Sequence, residues 1–206
     1  MTEKISICQV ADALGPTCRL ETGIAPVHPH FYTCGPVVTV SCVPNDNLTL
    51  HHALHLAEPG HVLVVSGGGS CDAALWGELM SLAASKRGLR GTIIDGAARD
   101  FWELKECAYP VFARKLTARR ASKDKYGTIN RDIRIGQTSV RPGDIVIADA
   151  NGMLVIAADQ FEDALRLARE VVAKEAHIKH EIARGRTIFD ILELEKHVPQ
   201  ETQQTR

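Results

Sequence analysis

The stretch GGGSCDAALWGELMSLAASKRGLRGTIIDGAARD, from Gly67 to Asp100, decides how this chain is read. It follows HVLVV (His61–Val65), an apolar run of the kind buried on both faces of a parallel sheet. Three glycines turn the chain and a helix-like segment follows. A second short strand, TIID (Thr92–Asp95), then ends in Gly96 and the Arg99–Asp100 pair. The crevice beyond the carboxyl ends of such strands is where open α/β sheets bind ligands. A glycine turn between strand and helix leaves N–H groups free to face an anion. An Arg beside an Asp at the end of a buried strand sets a carboxylate clamp next to a ligand for a hard cation.

Outward from this segment the same alternation continues. PVVTVSCVP (Pro36–Pro44) is β-branched and reads as a strand. Asn45-Asp46-Asn47 offers an N-cap to a helix over Leu48–Ala57, which stops at Pro59-Gly60. Ile5–Leu14 reads as a short helix ending near Gly15-Pro16. Within Cys71–Lys86, Ala74, Leu75, Leu79, Leu82 and Ala83 recur at helical spacing. Gly77 interrupts that pattern at a cost of about 1 kcal/mol relative to Ala. The spacing therefore also fits a helix starting near Gly77, with Leu75–Met80 as a junction whose amides face a ligand. A short helix follows around Asp100–Glu106, where Asp100 has a competing structural use as N-cap.

After Tyr109-Pro110 the pattern becomes antiparallel. Val111–Ala118 and Asp132–Ile135 read as strands, and Val140–Asp144 as a turn. Ile145–Ala150 and Met153–Ala157 are joined by the hairpin signal Asn151-Gly152. Gln160–Ala183 is a long amphipathic helix. The expectation is one mixed α/β domain over residues 1–195, βαβαβ in its first half, with a polar, frayed tail over 196–206.

Composition narrows the function classes. The 206 residues are 45% hydrophobic and 24% charged, ordinary values for a globular domain, and the net charge of -1 argues against nucleic acid as a partner. The basic run Arg114–Lys125 reads as a solvated face or an anion-binding loop. The amino-terminal residues show no apolar leader, and no apolar run reaches the roughly 20 residues that span a bilayer. Six scattered cysteines show no zinc-like spacing, so a reduced cytoplasmic protein is expected. The nine histidines form no metal motif; His51, His52 and His55 lie among leucines and read as packing or surface residues, and His28 and His30 as loop residues. The triple glycine matches neither a dinucleotide fingerprint nor a P-loop, and Ser66 does not stand in a nucleophile elbow.

DNLTLHHAL (Asp46–Leu54), PGHVLVVSGGG (Pro59–Gly69), ALWGELMSLAASKRGLRGTIIDGAARD (Ala74–Asp100), PVFARKLTA (Pro110–Ala118) and GDIVIADANGMLVI (Gly143–Ile156) together resemble the RraA-like superfamily. Within it the chain is similar to the class II pyruvate aldolases that act on 4-hydroxy-4-methyl-2-oxoglutarate and 4-carboxy-4-hydroxy-2-oxoadipate. The resemblance runs from about Gln9 to Asp190 and implies a swivelling α/β/β fold with mixed sheets and a long C-terminal helix. It also implies a homotrimer or homohexamer with a Mg²⁺ or Mn²⁺ site between subunits. By motif, Asp100 would hold the metal and Arg99 would bind the pyruvyl carboxylate or enolate. Gly77, Glu78, Leu79 and Met80 would present backbone amides to the substrate, and Lys123 would meet its distal carboxylate. Glu175, or failing it Glu170, would reach the metal's water shell from the neighbouring subunit.

The implied reaction is metal-dependent cleavage of a 4-hydroxy-2-oxo acid to pyruvate and a second 2-oxo acid. Oxaloacetate decarboxylation runs through the same enolate. The partner is then a small 2-oxo acid, with no nucleic acid and no membrane. Two positions depart from the family pattern: Ser66 stands where Asp is usual, and Asn45-Asp46-Asn47 where GDN is usual. The rival expectation is a non-catalytic regulator that binds the endoribonuclease RNase E, whose members carry Gln where this chain has Asp100.

Overall fold

The strand over Thr33–Ser41, with its β-branched run Val37–Val40, is where two kinds of sheet meet. The computed structural model describes residues 5–199. In chain order its elements are α1 (Ile7–Leu14), β1 (Arg19–Glu21), β2 (Ala25–Pro26), β3 (Thr33–Ser41), α2 (Leu48–Leu56), β4 (Val62–Ser66), β5 (Ala74–Trp76), α3 (Glu78–Lys86) and β6 (Gly91–Ala98). They continue with α4 (Phe101–Cys107), β7 (Val111–Leu116), β8 (Thr128–Ile129), β9 (Ile133–Ile135), β10 (Thr138–Val140), β11 (Ile145–Asp149), β12 (Gly152–Ile156), α5 (Phe161–Ala183) and α6 (Ile188–Ile191).

On one side β3 pairs in parallel with β4, and the parallel order continues through β6 to β7. On the other side it pairs antiparallel with β11, followed by β12 and β1. The βαβαβ half and the antiparallel half expected from the sequence are thus one mixed sheet with β3 at the seam.

Side chains alternate across a strand, and here the alternation feeds separate cores. Val38 and Val40 of β3, Leu63 and Val65 of β4 and Ile94 of β6 pack against Leu50, Ala53, Met80, Ala84 and Leu104 of the crossover helices. Their neighbours Val37, Val62, Val64 and Ile93 face a second core, shared with Val146 and Val155 of the antiparallel half and with β9 and β10. The outer face of β11 and β12, through Ile147, Leu154 and Ile156, is covered by α1 and α5. Both faces of the central strands are buried, which is why HVLVV shows no polar alternation. The fold is a mixed α/β layered structure with a long C-terminal helix.

Three local expectations are corrected. Cys71–Lys86 is not one helix: Ala74–Trp76 runs extended beside β6, and the helix starts at Glu78. Strand β6 does not stop at Asp95 but continues to Ala98, its small residues Ala97 and Ala98 taking β5 alongside. Asn47 holds the N-cap position of α2 without a side-chain cap, and the Leu48 N–H is instead accepted by Asp46 Oδ1 at 3.0 Å. The strands β1, β2, β8 and β10 went unread because two or three residues carry no periodicity. Of the expected tail, Lys196 and His197 close a short 3₁₀ turn, and residues 200–206 lie outside the described residues. No helix among the described residues is long and apolar enough to cross a membrane.

Ile93 is fully buried in β6, whereas Leu82 on α3 is exposed. Ile93→Ala is expected to lose about 2–5 kcal/mol and Leu82→Ala no more than about 0.5. Urea denaturation midpoints at unchanged m-value check both.

Candidate active site

The glycine turn proves to be a structural device. The N–H groups of Gly67 and Gly69 both donate to the carbonyl of Asp95, at 3.1 and 3.2 Å. Those amides are therefore not free to face an anion, contrary to the expectation from the turn. Gly68 and Gly69 adopt φ of +67° and +71°, which side chains rarely take. The Asp95 carboxylate is buried and paired with Arg114 of β7, which also donates to the carbonyl of Gly23 at 3.1 Å. This ion pair and the carbonyl bonds hold β4, β6 and β7 in line at their carboxyl ends.

The open donors lie one loop further on. Trp76 ends β5 almost fully buried, its indole N–H donating to Ser81 Oγ at 2.7 Å and its ring stacked on Tyr109. These contacts fix the first turn of α3. A Cβ at Gly77 would collide with Asp100 Oδ2 and stand 3.1 Å from Arg99 Cγ, so only glycine permits this close approach. Asp100 precedes α4 in the left-handed region, φ +64°, and its side chain makes no cap bond to its own helix. It turns instead to α3, where Oδ2 accepts the Glu78 N–H at 3.0 Å. Asp100 thus holds the N-cap position of α4 with its carboxylate turned away from capping that helix.

Arg99 Nε donates to both Asp100 oxygens, at 3.1 and 3.2 Å, and the Arg99 N–H donates to the Trp76 carbonyl at 3.0 Å. Both terminal guanidinium nitrogens of Arg99, and the backbone N–H groups of Leu79 and Met80, find no acceptor among the described residues. The Arg99 and Asp100 side chains are 37% and 27% exposed and border a shallow depression of about 410 Å³ with Leu116 and Thr117. A free guanidinium, two free amides and an oriented carboxylate are what an anionic substrate and a hard cation require side by side.

Sequence reasoning underrated the segment Asn45–Asp46–Asn47. Asn45 Oδ1 accepts from Ser70 Oγ at 2.9 Å and the Ala73 N–H at 3.2 Å, tethering the glycine loop. Asp46 Oδ2 accepts from Ser122 Oγ and from the N–H groups of Asp124 and Lys125, tethering the basic loop. Asn47 Nδ2 donates to the Leu75 carbonyl at 3.0 Å, while its buried Oδ1 has no partner, an acceptor left open next to the Leu75–Met80 junction. Three consecutive Asn and Asp residues signal a turn, but nothing in their spacing says which loops they grip.

The remaining site candidates divide. Lys123 lies in the loop that Asp46 holds, exposed; burial first, and then the Lys123 charge, pull the pKa of His51 down. Glu175 accepts from Gln9 Nε2 of α1 at 3.1 Å and stands 3.8 Å from Lys179, and Glu170 pairs with Arg166 at 3.0 Å. Neither glutamate joins Asp100 within one chain, and the described residues hold no group of three or more His, Cys, Asp or Glu suited to a metal. Ser66, at the family's usual Asp position, ends β4 opposite Asp95.

The family model described as RraA-like, Aldolase/RraA, matches residues 7–155. A protein of Halalkalibacterium halodurans with the provisional name 4-hydroxy-4-methyl-2-oxoglutarate aldolase is 34% identical over 181 residues, covering 88% of this chain and 83% of its own. Among solved structures, an uncharacterized protein from Pseudomonas syringae superposes with a TM-score of 0.80 at 28% identity, covering 89% of this chain and 90% of its own. The RNA-processing inhibitor RraA from Thermus thermophilis superposes at 0.68 with 26% identity, covering 76% and 94%.

Burial alone would raise the Asp46 carboxyl, but bonds from Ser122, Asp124, Leu48 and Lys125 outweigh it and hold its pKa at about 2. An unfolded Asp titrates at about 4. The bonded carboxylate therefore stabilises the fold fully above roughly pH 4, and this contribution is lost as pH falls toward 2. Asp46→Asn is expected to unfold at lower urea than the parent at pH 7, with the gap narrowing below pH 4. A gap that does not change with pH would contradict the assignment.

Proposed function

The chain belongs to the RraA-like family, and on that premise we propose that it is a divalent-metal-dependent carbon–carbon lyase that stabilises a pyruvate enolate. It cleaves a 4-hydroxy-2-oxo dicarboxylic or tricarboxylic acid to pyruvate and a second 2-oxo acid, and decarboxylates oxaloacetate through the same enolate. The observation that carries this reading is the geometry of Asp100: a left-handed residue whose carboxylate is turned from its own helix onto the Glu78 amide, beside an Arg99 with both terminal nitrogens free.

One partly exposed carboxylate fits Mg²⁺ or Mn²⁺, which keep several waters and take few protein carboxylates. When bound at Asp100, the cation supplies Lewis acidity toward a 2-oxo acid. The chain does the rest. As a solvent base takes the 4-hydroxyl proton, the C4 carbonyl forms, the C3–C4 bond breaks, and the electron pair of that bond moves toward the C2 oxygen to give the enolate. The free nitrogens of Arg99 bind the pyruvyl carboxylate in a bidentate fork and offset the charge that develops beside it. The Leu79 and Met80 amides, fixed by the Gly77 approach, add donors that need no reorganisation. Lys123 accommodates a distal carboxylate, and protonation of the enolate at C3 releases pyruvate.

The surroundings support a shared site. Leu79 is 78% and Trp102 68% exposed, and Leu82 and Leu116 are also open, an apolar rim at the Arg99–Asp100 edge. A second copy covering this rim in a homotrimer or homohexamer would exclude water and is the route by which Glu175 enters the site. The similarity to an RNA-processing inhibitor makes a non-catalytic regulator the rival reading. An oriented carboxylate and a free guanidinium side by side favour catalysis.

The test is pyruvate release, coupled to lactate dehydrogenase, from oxaloacetate and from 4-hydroxy-4-methyl-2-oxoglutarate with Mg²⁺. Chelation is expected to abolish release, and Asp100→Ala and Arg99→Met to lose about 10²–10³-fold. Gly77→Ala, which displaces the Asp100 carboxylate, is expected to lose about 10²-fold with the circular dichroism unchanged. No metal-dependent pyruvate from either acid, or full activity in Asp100→Ala, would overturn the reading.

A further inference from the structure

Away from Arg99 and Asp100, a cavity of about 770 Å³ lies between the first turns of α5 and the seam of β3 with β11. That volume is ordinary for a small-molecule site. Its apolar surface comes from Ile145 and Ile147 of β11 and from Phe161 and Leu165 of α5. Two guanidinium groups, Arg90 and Arg169, share this lining.

Arg90 is held in place. Its stem lies over Gly35, where an added Cβ would stand 3.2 Å from Arg90 Cδ, and one N–H donates to the Cys34 carbonyl at 3.0 Å. Its other guanidinium N–H groups have no acceptor, and neither arginine pairs with a carboxylate, among the described residues. Arg166 on the same helix behaves differently, meeting Asp163 at 3.5 Å and Glu170 at 3.0 Å. The acid in the lining, Glu162, precedes Arg169 by seven residues, about 10 Å along a helix, and makes no ion pair with it. Among the described lining residues, two cations against one carboxylate give a net positive charge over an apolar floor.

We infer that this cavity binds a small amphipathic carboxylate, a single anionic head on an apolar body such as a medium-chain acid. Arg90 and Arg169 take the head group, and the isoleucines, Phe161 and Leu165 surround the body. Charge-assisted hydrogen bonds from two guanidinium groups select the anion over a neutral isostere. Glu162 disfavours a second negative charge. The site shares no residue with the Arg99–Asp100 edge.

Calorimetric titration of the full chain with octanoate, and separately with 1-octanol, tests this. The expected result is saturable binding of one octanoate per chain, with 1-octanol at least about tenfold weaker. Arg90→Met and Arg169→Met should each weaken octanoate about tenfold, equivalent to about 1.4 kcal/mol. Arg166→Met, the same charge change on the same helix, should leave binding intact. So should Arg99→Met, which removes the guanidinium at the Arg99–Asp100 edge. Absence of saturable octanoate binding, the outcome if a second copy fills the cavity, would overturn the inference. So would equal affinity for 1-octanol, or an equal loss in Arg166→Met. The titration reads binding alone, so its outcome is independent of whether the chain releases pyruvate.

Discussion

The hydrogen bond from the Glu78 amide to Asp100 holds together the features that make this surface a candidate site. It joins the start of α3 to the start of α4, two helices separated in sequence by a whole strand. It is possible only because Gly77 has no side chain, since a Cβ would occupy the place of the carboxylate oxygen. It also requires Asp100 in the left-handed region, a conformation that costs of order 1 kcal/mol or more and persists where surrounding structure enforces it. That enforcement comes from β5: Trp76 is locked by Ser81 and Tyr109, and its carbonyl accepts the Arg99 N–H. A strained residue, a mandatory glycine and unfulfilled donors concentrate at one place, as functional sites often show.

Around this bond the structure is rigid where it needs shape and open where it needs a ligand. Asn45, Asp46 and Asn47 grip the glycine loop, the basic loop and the Leu75 carbonyl in turn. The glycine loop closes on the Asp95 carbonyl, and the Asp95 carboxylate closes on Arg114. Apart from Asn47 Oδ1, these polar groups are engaged with one another. The free ones, on Arg99, Leu79 and Met80, face the same edge as the exposed Leu79 and Trp102. An anion clamp bordered by bare apolar side chains suits both the proposed substrate and the proposed second copy of the chain.

Much of the fold was legible because its signals are local. HVLVV and TIID announce strands buried on both faces, Asn151-Gly152 announces the hairpin of β11 and β12, and the long apolar stripe of α5 runs for 23 residues. The Arg99–Asp100 edge and the Gly77 junction were also legible, the first from its place after a buried strand and the second from a glycine where a helix should not have one. What was not legible depends on contacts distant in sequence. Ala74–Trp76 has a helical pattern but is extended because β6 pairs with it. The glycine amides looked free because their acceptor, the Asp95 carbonyl, lies 28 residues beyond Gly67 and 26 beyond Gly69. Asp46 reads as a turn residue, and only the fold brings Ser122, Asp124 and Lys125 to it.

The central claim is that Arg99 and Asp100 stabilise an enolate of pyruvate, and enolisation can be observed without any cleavage step. Pyruvate incubated with the protein and Mg²⁺ in D₂O should lose its methyl proton NMR signal as C3 exchanges deuterium, far faster than with Mg²⁺ alone. Asp100→Ala should return the exchange to the Mg²⁺ background. Exchange no faster than that background, or equally fast in Asp100→Ala, would contradict the account.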